Sequence, residues 1–484
     1  MSVLFPALRA AASAPAAPGR DALRFGDRAL GYAELAAAGT ALAGRLAGER
    51  RVAVWATPSL ETGVAVVGAL LAGVPAVPVN PRIGGRELAH IVADSAPSVV
   101  LAEPGVELPA VLAGLPRVDV DPAATGPAGG AFPEEPDDEA AALVIYTSGT
   151  TGPPKGVVLP RRAVVATLDA LEEAWGWTGE DVVVHALPLF HVHGLILGVL
   201  GPLRRGGTVH HLGRFTTEGV RAALAADGTM LFGVPTMYHR LAGAVGEDPA
   251  LARALGGARL LVSGSAALPA YDHERITAAT GQRVVERYGM TETLMNTSVR
   301  PDGGHRPGTV GVPLRGVELR LVDESGAVLP GRDGETVGEI QVRGPNLFTG
   351  YLGQPEATAR AFDGGWFRTG DMAIQDPDGA VRIVGRRATD LIKSGGYKIG
   401  AGEIENCLLG HPGVAEVAVT GEPDEDLGER VVAWVVPGPQ RPPAGELIDH
   451  VARQLAPHKR PRVVRFLDEL PRNDMGKVLK RALR

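Results

Sequence analysis

The chain has 484 residues, 45% hydrophobic and 21% charged, with 48 basic and 55 acidic side chains and a formal charge of −7. That length predicts about three domain-sized units, and the composition excludes a disordered chain. The acidic balance, with no basic block, excludes nucleic acid as the main partner, because phosphate backbones need clustered Lys and Arg.

Cys407 is the single cysteine, which excludes an intrachain disulfide and a cysteine-cluster metal site. It is compatible with a reducing compartment, and the expected location is cytoplasmic.

In chain order, MSVLFPALRAAASAPAAPGR has arginine and no acid before Asp21. It reads as a surface helix rather than a transit peptide, and it has no signal-peptide apolar core. Leu35–Ala47 has helical composition, and Arg51–Ala56 reads as a strand. Thr62–Pro81 is a 20-residue stretch without Asp, Glu, Lys or Arg, but Pro75, Pro78 and several glycines interrupt it. A membrane span needs ~20 unbroken apolar residues, so the stretch predicts a buried helix over 62–72 and a strand at Ala76–Val79. No membrane partner is expected. Ser98–Ala102, Ala142–Tyr146, Leu231–Val234 and Leu260–Ser263 are further strand-like runs, and Pro122–Pro136 is a surface connection.

Short apolar runs spaced by helices imply a doubly wound α/β body. Ligands of such sheets sit beyond the carboxyl ends of the strands. Tyr146–Gly156 and Ser263–Pro269 each follow an apolar run, so both are expected there.

From about Gly338 the pattern becomes β-rich. Glu339–Arg343 alternates, and Met372–Gln375, the turn Asp376-Pro377-Asp378-Gly379 and Val381–Val384 form a hairpin signature. After Arg387 an α+β pattern follows: a glycine turn at 394–396, helices over 403–410 and 444–455, and strands at 415–420 and 431–436. The expected units are 1–386 and 387–484. The predicted class is α/β, a large N-terminal domain of layered α/β subdomains with a β-rich part, followed by a small α+β domain.

Residues 146–156 read YTSGTTGPPKG. Gly149 and Lys155 have the spacing of a Walker loop, but Pro154 stands for its second glycine and Gly156 for its Ser or Thr. Two prolines also remove N–H donors that such a loop needs at a helix N-terminus. The stretch instead reads as a phosphate clamp, with Thr147, Ser148, Thr150 and Thr151 as donors, Gly149 and its neighbours giving access, and Lys155 as counter-charge.

YTSGTTGPPKG resembles the phosphate loop of the adenylate-forming superfamily of acyl-CoA synthetases, luciferases and adenylation domains. LPLFHVHG (187–194), YGMTET (288–293), WFRTGD (366–371), GRRATDLIKSGGYKIGAGEIE (385–405) and PRNDMGK (471–477) resemble its other motifs in the right order. Nearly the whole chain is covered. The resemblance implies two half-reactions. A carboxylate displaces pyrophosphate from ATP to give an acyl-adenylate, and a thiol then takes the acyl group. Positioning and charge neutralisation carry most of such catalysis.

The resemblance also implies roles. Lys477 bridges the carboxylate and the α-phosphate. Glu292 holds Mg²⁺ with Thr150 or Thr151. Tyr288 faces adenine, Thr291 bonds the α-phosphate, and Asp371 accepts the ribose hydroxyls with Arg386 beside it. Ser265, Ala266, Ala267, Glu286, Arg287, Gly289 and Met290 complete the ATP contacts. GRRATD is one residue longer than the family spacing, so Arg387 competes with Arg386 and the hinge falls on Ala388 or Thr389.

His191 and His193 would face one way in a strand, as metal ligands do. No third ligand has a matching spacing, and the resemblance makes His191 a gate by the acyl pocket and His193 a core histidine.

The acid is read from two arginines. Arg287 stands where relatives carry a small residue, and Arg240 follows Gly233–Tyr238, a pocket-wall segment. An uncompensated arginine in an apolar pocket is costly, and a second carboxylate offers it a bidentate partner. The competing reading pairs Arg287 with Glu286 and leaves Arg240 on a helix surface. ERYGMTET, GVPTMYHRL and DLIKSGGYKI together resemble malonyl-CoA synthetases. Malonate is therefore the expected acid, with methylmalonate second, in a pocket of His191, Val192, Arg240, Ser263, Arg287 and Met290.

The C-terminal domain is expected to be a mobile lid. It would deliver Lys477, then turn to bring Lys393, Ser394, Gly395, Gly396 and Lys398 to coenzyme A. A free-standing adenylation domain that loads a carrier protein is the alternative enzyme.

Overall fold

The computed structural model describes residues 3–13, 19–125, 131–147, 153–303, 306–386, 390–472 and 478–483. Two large sheets share one hydrophobic core. In the first, Gly350–Tyr351, Lys155–Pro160, Ala141–Thr147, Ala76–Val79, Val52–Trp55, Val99–Ala102 and Arg117–Asp119 lie side by side. In the second the order is Val312–Pro313, Leu294–Ser298, Val284–Met290, Leu260–Ser263, Met230–Gly233, Val182–His185, Thr208–His211, Asp21–Phe25 and Arg28–Gly31. The segments predicted as strands in this region are strands, within a residue or two at their ends.

The first part of the uncharged stretch lies in the helix Leu60–Leu71, and every residue of that helix is buried, Glu61 included. Ser59 caps it by accepting the Thr62 N–H. A Cβ on Gly68 would lie 2.7 Å from Leu42 Cδ2, so this glycine lets the helix Tyr32–Leu46 cross closely. A helix buried on all sides has no polar face, hence the membrane-like composition.

The N-terminal helix, Pro6–Ser13, lies at the surface as expected, with Leu8 its one buried residue. Leu4, Phe5 and Leu8 are wholly buried, and the Arg204 guanidinium donates to the Val3 carbonyl.

Glu318–Val322, Gly338–Arg343, Trp366–Gln375 and Phe362–Asp363 form the β-rich part, with Val381–Arg386 paired to Trp366–Gln375 as the predicted hairpin. A last sheet of Tyr397–Gly400, Leu391–Ser394, Gly428–Pro437, Val414–Asp424 and Val463–Phe466 carries the helices Ala401–Leu409 and Ala444–Gln454. It has its own core, built on Ile392, Ile404, Leu408, Val419 and Leu447. No helix among the described residues is long and apolar enough to cross a membrane.

Candidate active site

Four neighbouring parallel strands end together. They are Val182–His185, Met230–Gly233, Leu260–Ser263 and Val284–Met290, and their register aligns Phe232 with His185, Gly233 with Ser263, and Ser263 with Glu286. Met290 ends one of these strands, and the segments that leave the others carry His191, Val192, Met237, Arg240 and Ser265. This is where an open α/β sheet binds ligands.

Arg287 is 5% exposed, and among the described residues its Nε and Nη2 have no hydrogen-bond partner. Burial pushes the guanidinium down to about 10, which leaves it charged at neutral pH. It lies directly over Gly264, where a Cβ would fall 2.2 Å from Cζ. Glu286 does not pair with it. The Glu286 carboxylate is buried, accepts the Leu268 N–H at 2.9 Å and lies 3.0 Å from His273 Nε2. Its carbonyl accepts the Val299 N–H. Both polar ends of Glu286 are therefore engaged within the protein. The Glu286 side chain supports the Ser263–Pro269 turn, on the face of the strand opposite that of Arg287.

Ser263 Oγ and both ring nitrogens of His193 are likewise buried without partners among the described residues. His193 is held neutral, well below its usual value, by burial and by the charge of Arg287. The strand premise for the two histidines fails. His193 opens a helix, His193–Leu200, and the His191 carbonyl accepts the Leu195 N–H at 2.8 Å. Gly194 is required there, since a Cβ would sit 2.2 Å from the Pro188 carbonyl oxygen. His191 is half-buried against Phe190, with ring centroids 4.5 Å apart, and burial pushes it down to about 4. Val192 is buried and Met290 half-buried. Arg240 is exposed on the helix Pro235–Ala244, whose buried side chains are Tyr238, Leu241 and Ala242. The structure thus gives the buried, unpaired character to Arg287 and not to Arg240.

The nucleotide candidates meet across the sheets. Tyr288 donates to Asp371 Oδ2 at 2.6 Å, and Arg386 Nε lies 3.1 Å from Asp371 Oδ1. Asp371 is 5% exposed, and its N–H is held by Thr369 Oγ1. Of the two competing arginines, Arg386 reaches Asp371. Arg387, with the hinge candidates Ala388 and Thr389, lies outside the described residues. Gly289 has no substitute, because a Cβ would lie 1.8 Å from the Leu294 carbonyl oxygen. Thr291 is half-buried beside Glu292, while Ser265, Ala266 and Ala267 are exposed, with Ser265 at a left-handed φ of 76°.

Glu292 is buried, and burial pushes its carboxyl up despite the hydrogen bond from Tyr351. The Tyr351 hydroxyl donates to Glu292 Oε1 at 2.9 Å, and Lys155 Nζ stands 4.7 Å from the centre of the same ring. Tyr351 therefore joins the phosphate-loop lysine to the candidate magnesium ligand. Sequence reasoning missed it: it lies 59 residues beyond Glu292, in a two-residue edge strand with no motif quoted for it. Thr147 ends its strand opposite Lys155. Ser148, Gly149, Thr150 and Thr151 lie outside the described residues, as does Lys477.

In the C-terminal unit, Leu391–Ser394 and Tyr397–Gly400 form a hairpin turning at Gly395 and Gly396. Their φ values of 57° and 81° are those of a tight hairpin turn and explain both glycines without a ligand. Ser394 is buried, Lys393 is exposed, with Nζ 3.7 Å from Glu324 Oε1, and the Lys398 side chain lies outside the described residues.

This fold and site define an adenylate-forming enzyme. The chain belongs to the AMP-binding enzyme family, which it matches over residues 10–352, and it matches the AMP-binding enzyme C-terminal domain over 403–477. Among solved structures it is similar to a malonyl-CoA ligase in a ternary product complex with methylmalonyl-CoA and AMP, at 69% identity, covering 97% of this chain and 100% of that one, with a TM-score of 0.75. ATP-bound MatB from Rhodopseudomonas palustris is 35% identical over 99% of this chain and 98% of that one, with a TM-score of 0.88. The mitochondrial malonate–CoA ligase of Bos taurus is 38% identical over 90% of this chain and 81% of that protein.

Proposed function

We propose that this chain is an ATP-dependent malonate–CoA ligase, with methylmalonate as a second acid. The observation that carries the reading is Arg287. A guanidinium buried over Gly264, two of whose nitrogens have no partner among the described residues, is costly unless an anion completes it. Malonate keeps one carboxylate for Arg287 and presents the other for activation. Ser263 Oγ, without a partner among the described residues, supplies a further hydroxyl on the neighbouring strand, and Val192 and Met290 bound the C2 substituent. Arg240, exposed beside the half-buried Met237, suits the entrance rather than the floor.

In the first half-reaction a carboxylate oxygen attacks the α-phosphorus, and the bond to the bridging oxygen breaks with loss of pyrophosphate. Lys477 neutralises both anions, and Thr291 bonds the α-phosphate. Tyr288, Asp371 and Arg386 hold the nucleoside, and the 146–156 loop with Lys155 holds the leaving phosphates. Glu292 would hold Mg²⁺ with Thr150 or Thr151, an ion that neutralises phosphate charge. A single buried carboxylate suits it, since Mg²⁺ keeps waters and substrate phosphates as its other ligands. In the second half-reaction the coenzyme A sulfur, having lost its proton, attacks the acyl carbon and AMP leaves, with 393–398 lining the thiol's path.

The units are 1–386 and 387–484. Separate cores support that division, as does the ending of one family match at 352 and the start of the next at 403. The TM-score is higher against a 35% identical ATP-bound structure than against a 69% identical product complex. That contrast supports a C-terminal unit that moves between the half-reactions. The cytoplasm is the proposed compartment, in keeping with one buried free cysteine. The test is a panel of short mono- and dicarboxylates at fixed ATP and coenzyme A. Malonate should lead, and a higher kcat/KM for acetate, a fatty acid or an aryl acid would overturn the reading.

A further inference from the structure

Lys480 is a lysine one would expect in solvent, near the end of a basic tail. Instead its side chain is 16% exposed, and Nζ lies 2.8 Å from Asp390 Oδ1 and 2.8 Å from Glu405 Oε1. Burial alone would depress the ammonium, but Glu405 and Asp390 outweigh it and hold the pKa above the usual lysine value. Both carboxylates have second tasks. Glu405 Oε1 accepts the Val419 N–H at 2.7 Å, and Asp390 Oδ2 accepts the Arg386 N–H at 3.1 Å.

The second of these contacts crosses the segment where the two units join. Arg386 is the residue on Asp371, and Asp371 is the acceptor of Tyr288. Arg386 therefore links the two sides, with its side chain on Asp371 and its backbone N–H on Asp390, which in turn holds Lys480. Gly385 makes the approach possible. Its φ is 146°, and a Cβ there would lie 2.5 Å from Asp390 Cβ.

Both stems of the chain around 473–477 are pinned nearby. Arg472 and Val478 form an isolated antiparallel bridge, Leu479 N–H donates to the Pro471 carbonyl at 2.7 Å, and Arg472 pairs with Glu416 at 2.7 Å. Leu470 and Leu483 already pack with Ala418 in an apolar cluster. The tail thus has a hydrophobic anchor that does not need a buried ammonium, and burying one is expensive even when paired.

Resting on the reading of Lys477 as the activating lysine, we propose that Lys480 is a positioning residue. It ties the tail that bears Lys477, three residues upstream, to the Asp390 side of the hinge in the arrangement that activates the acid. A misplacement of about 1 Å costs on the order of 100-fold in rate.

The test measures the two half-reactions of the full chain separately. One is malonate-dependent exchange of labelled pyrophosphate into ATP, and the other is thioester formation from synthetic malonyl-adenylate and coenzyme A. Lys480→Met should lower exchange kcat by about 10- to 100-fold, with KM for ATP and the thioester step within about threefold. Lys480→Arg should recover most of the exchange rate. Equal loss in both half-reactions, or no loss in either, overturns the proposal. If Lys480→Met does not fold, Asp390→Asn reads the same contact and must give the same split. Lys477→Ala runs in parallel. If it keeps exchange activity, the reading of Lys477 fails and the proposal with it; if it loses exchange while Lys480→Met does not, only the proposal fails.

Discussion

The hydroxyl of Tyr288 donates a 2.6 Å hydrogen bond to Asp371, across 83 residues of chain. The two sit in different sheets, and Asp371 also takes Arg386. One carboxylate thus fixes the Tyr288 ring and the Arg386 side chain together.

Asp371→Ala removes both contacts. Hydrogen bonds to charged groups are worth about 1.5–3 kcal/mol, so KM for ATP should rise by roughly 10- to 100-fold while KM for malonate changes by less than about threefold. Pyrophosphate exchange at varied ATP and malonate measures both. Equal rises in the two constants would remove Asp371 from the nucleotide site.

Arg287→Met separates binding from stability. Losing one partner of a buried charge pair costs about 2–5 kcal/mol, so kcat/KM for malonate should fall by roughly 30-fold or more, with ATP binding intact. Without ligand the guanidinium is buried and incompletely paired, so the melting temperature should stay or rise. A fall of several degrees would mean that Arg287 holds the fold. Arg287→Lys should not restore malonate use, because an ammonium lacks the planar fork.

Gly264→Ala tests the same pocket without touching a charge. The new methyl would fall 2.2 Å from Arg287 Cζ, so the guanidinium must move. KM for malonate should rise at least about tenfold, and KM for ATP should hold. An unchanged KM for malonate would show that the position of Arg287 over Gly264 does not matter.

Acid should destabilise the fold through its buried histidines. His211 lies 3.0 Å from the Leu187 carbonyl through Nε2 and accepts the Gly213 N–H at Nδ1 at 2.9 Å. Only the neutral Nε2–H ring satisfies both. Burial pushes His211 down to about 4, and His185, His191 and His193 shift the same way for the same first cause. Between about pH 4 and 6.5 the unfolded chain binds protons that the folded chain refuses. Stability contributed by these groups is complete above about pH 6.5 and is lost as pH falls towards 4, by up to about 1.4 kcal/mol per pH unit per site. Urea midpoints at pH 7 and pH 5 should show the drop. His211→Gln, which keeps a side-chain donor for Leu187, should lessen it, and an unchanged pH slope in that variant would dismiss His211 as a source.

Much of the fold was legible because its signals are local. The apolar runs at Leu260–Ser263 and Ala142–Tyr146, the 372–384 hairpin and the glycine turn at 394–396 depend on side chains a few residues apart. What anchors the chain ahead of the N-terminal helix was not legible, because the Val3 carbonyl takes its donor from Arg204, some 200 residues away. The condition under which His191 and His193 would face one way is not met, because Gly194 permits a helix to start against Pro188, a contact that no periodicity reveals.

By itself the sequence determined the chemistry on offer. It held the phosphate-loop composition, the order of motifs and the arginine before Tyr288, because these are matters of residue type and spacing. Only the tertiary structure decided which groups are satisfied. It turned Glu286 inward to Leu268 and His273, left Arg287 buried and incompletely paired, and put Tyr351 between Lys155 and Glu292. The reason is physical: whether a charge is compensated depends on atoms within a few ångströms in space, and those come from strands far apart in the chain.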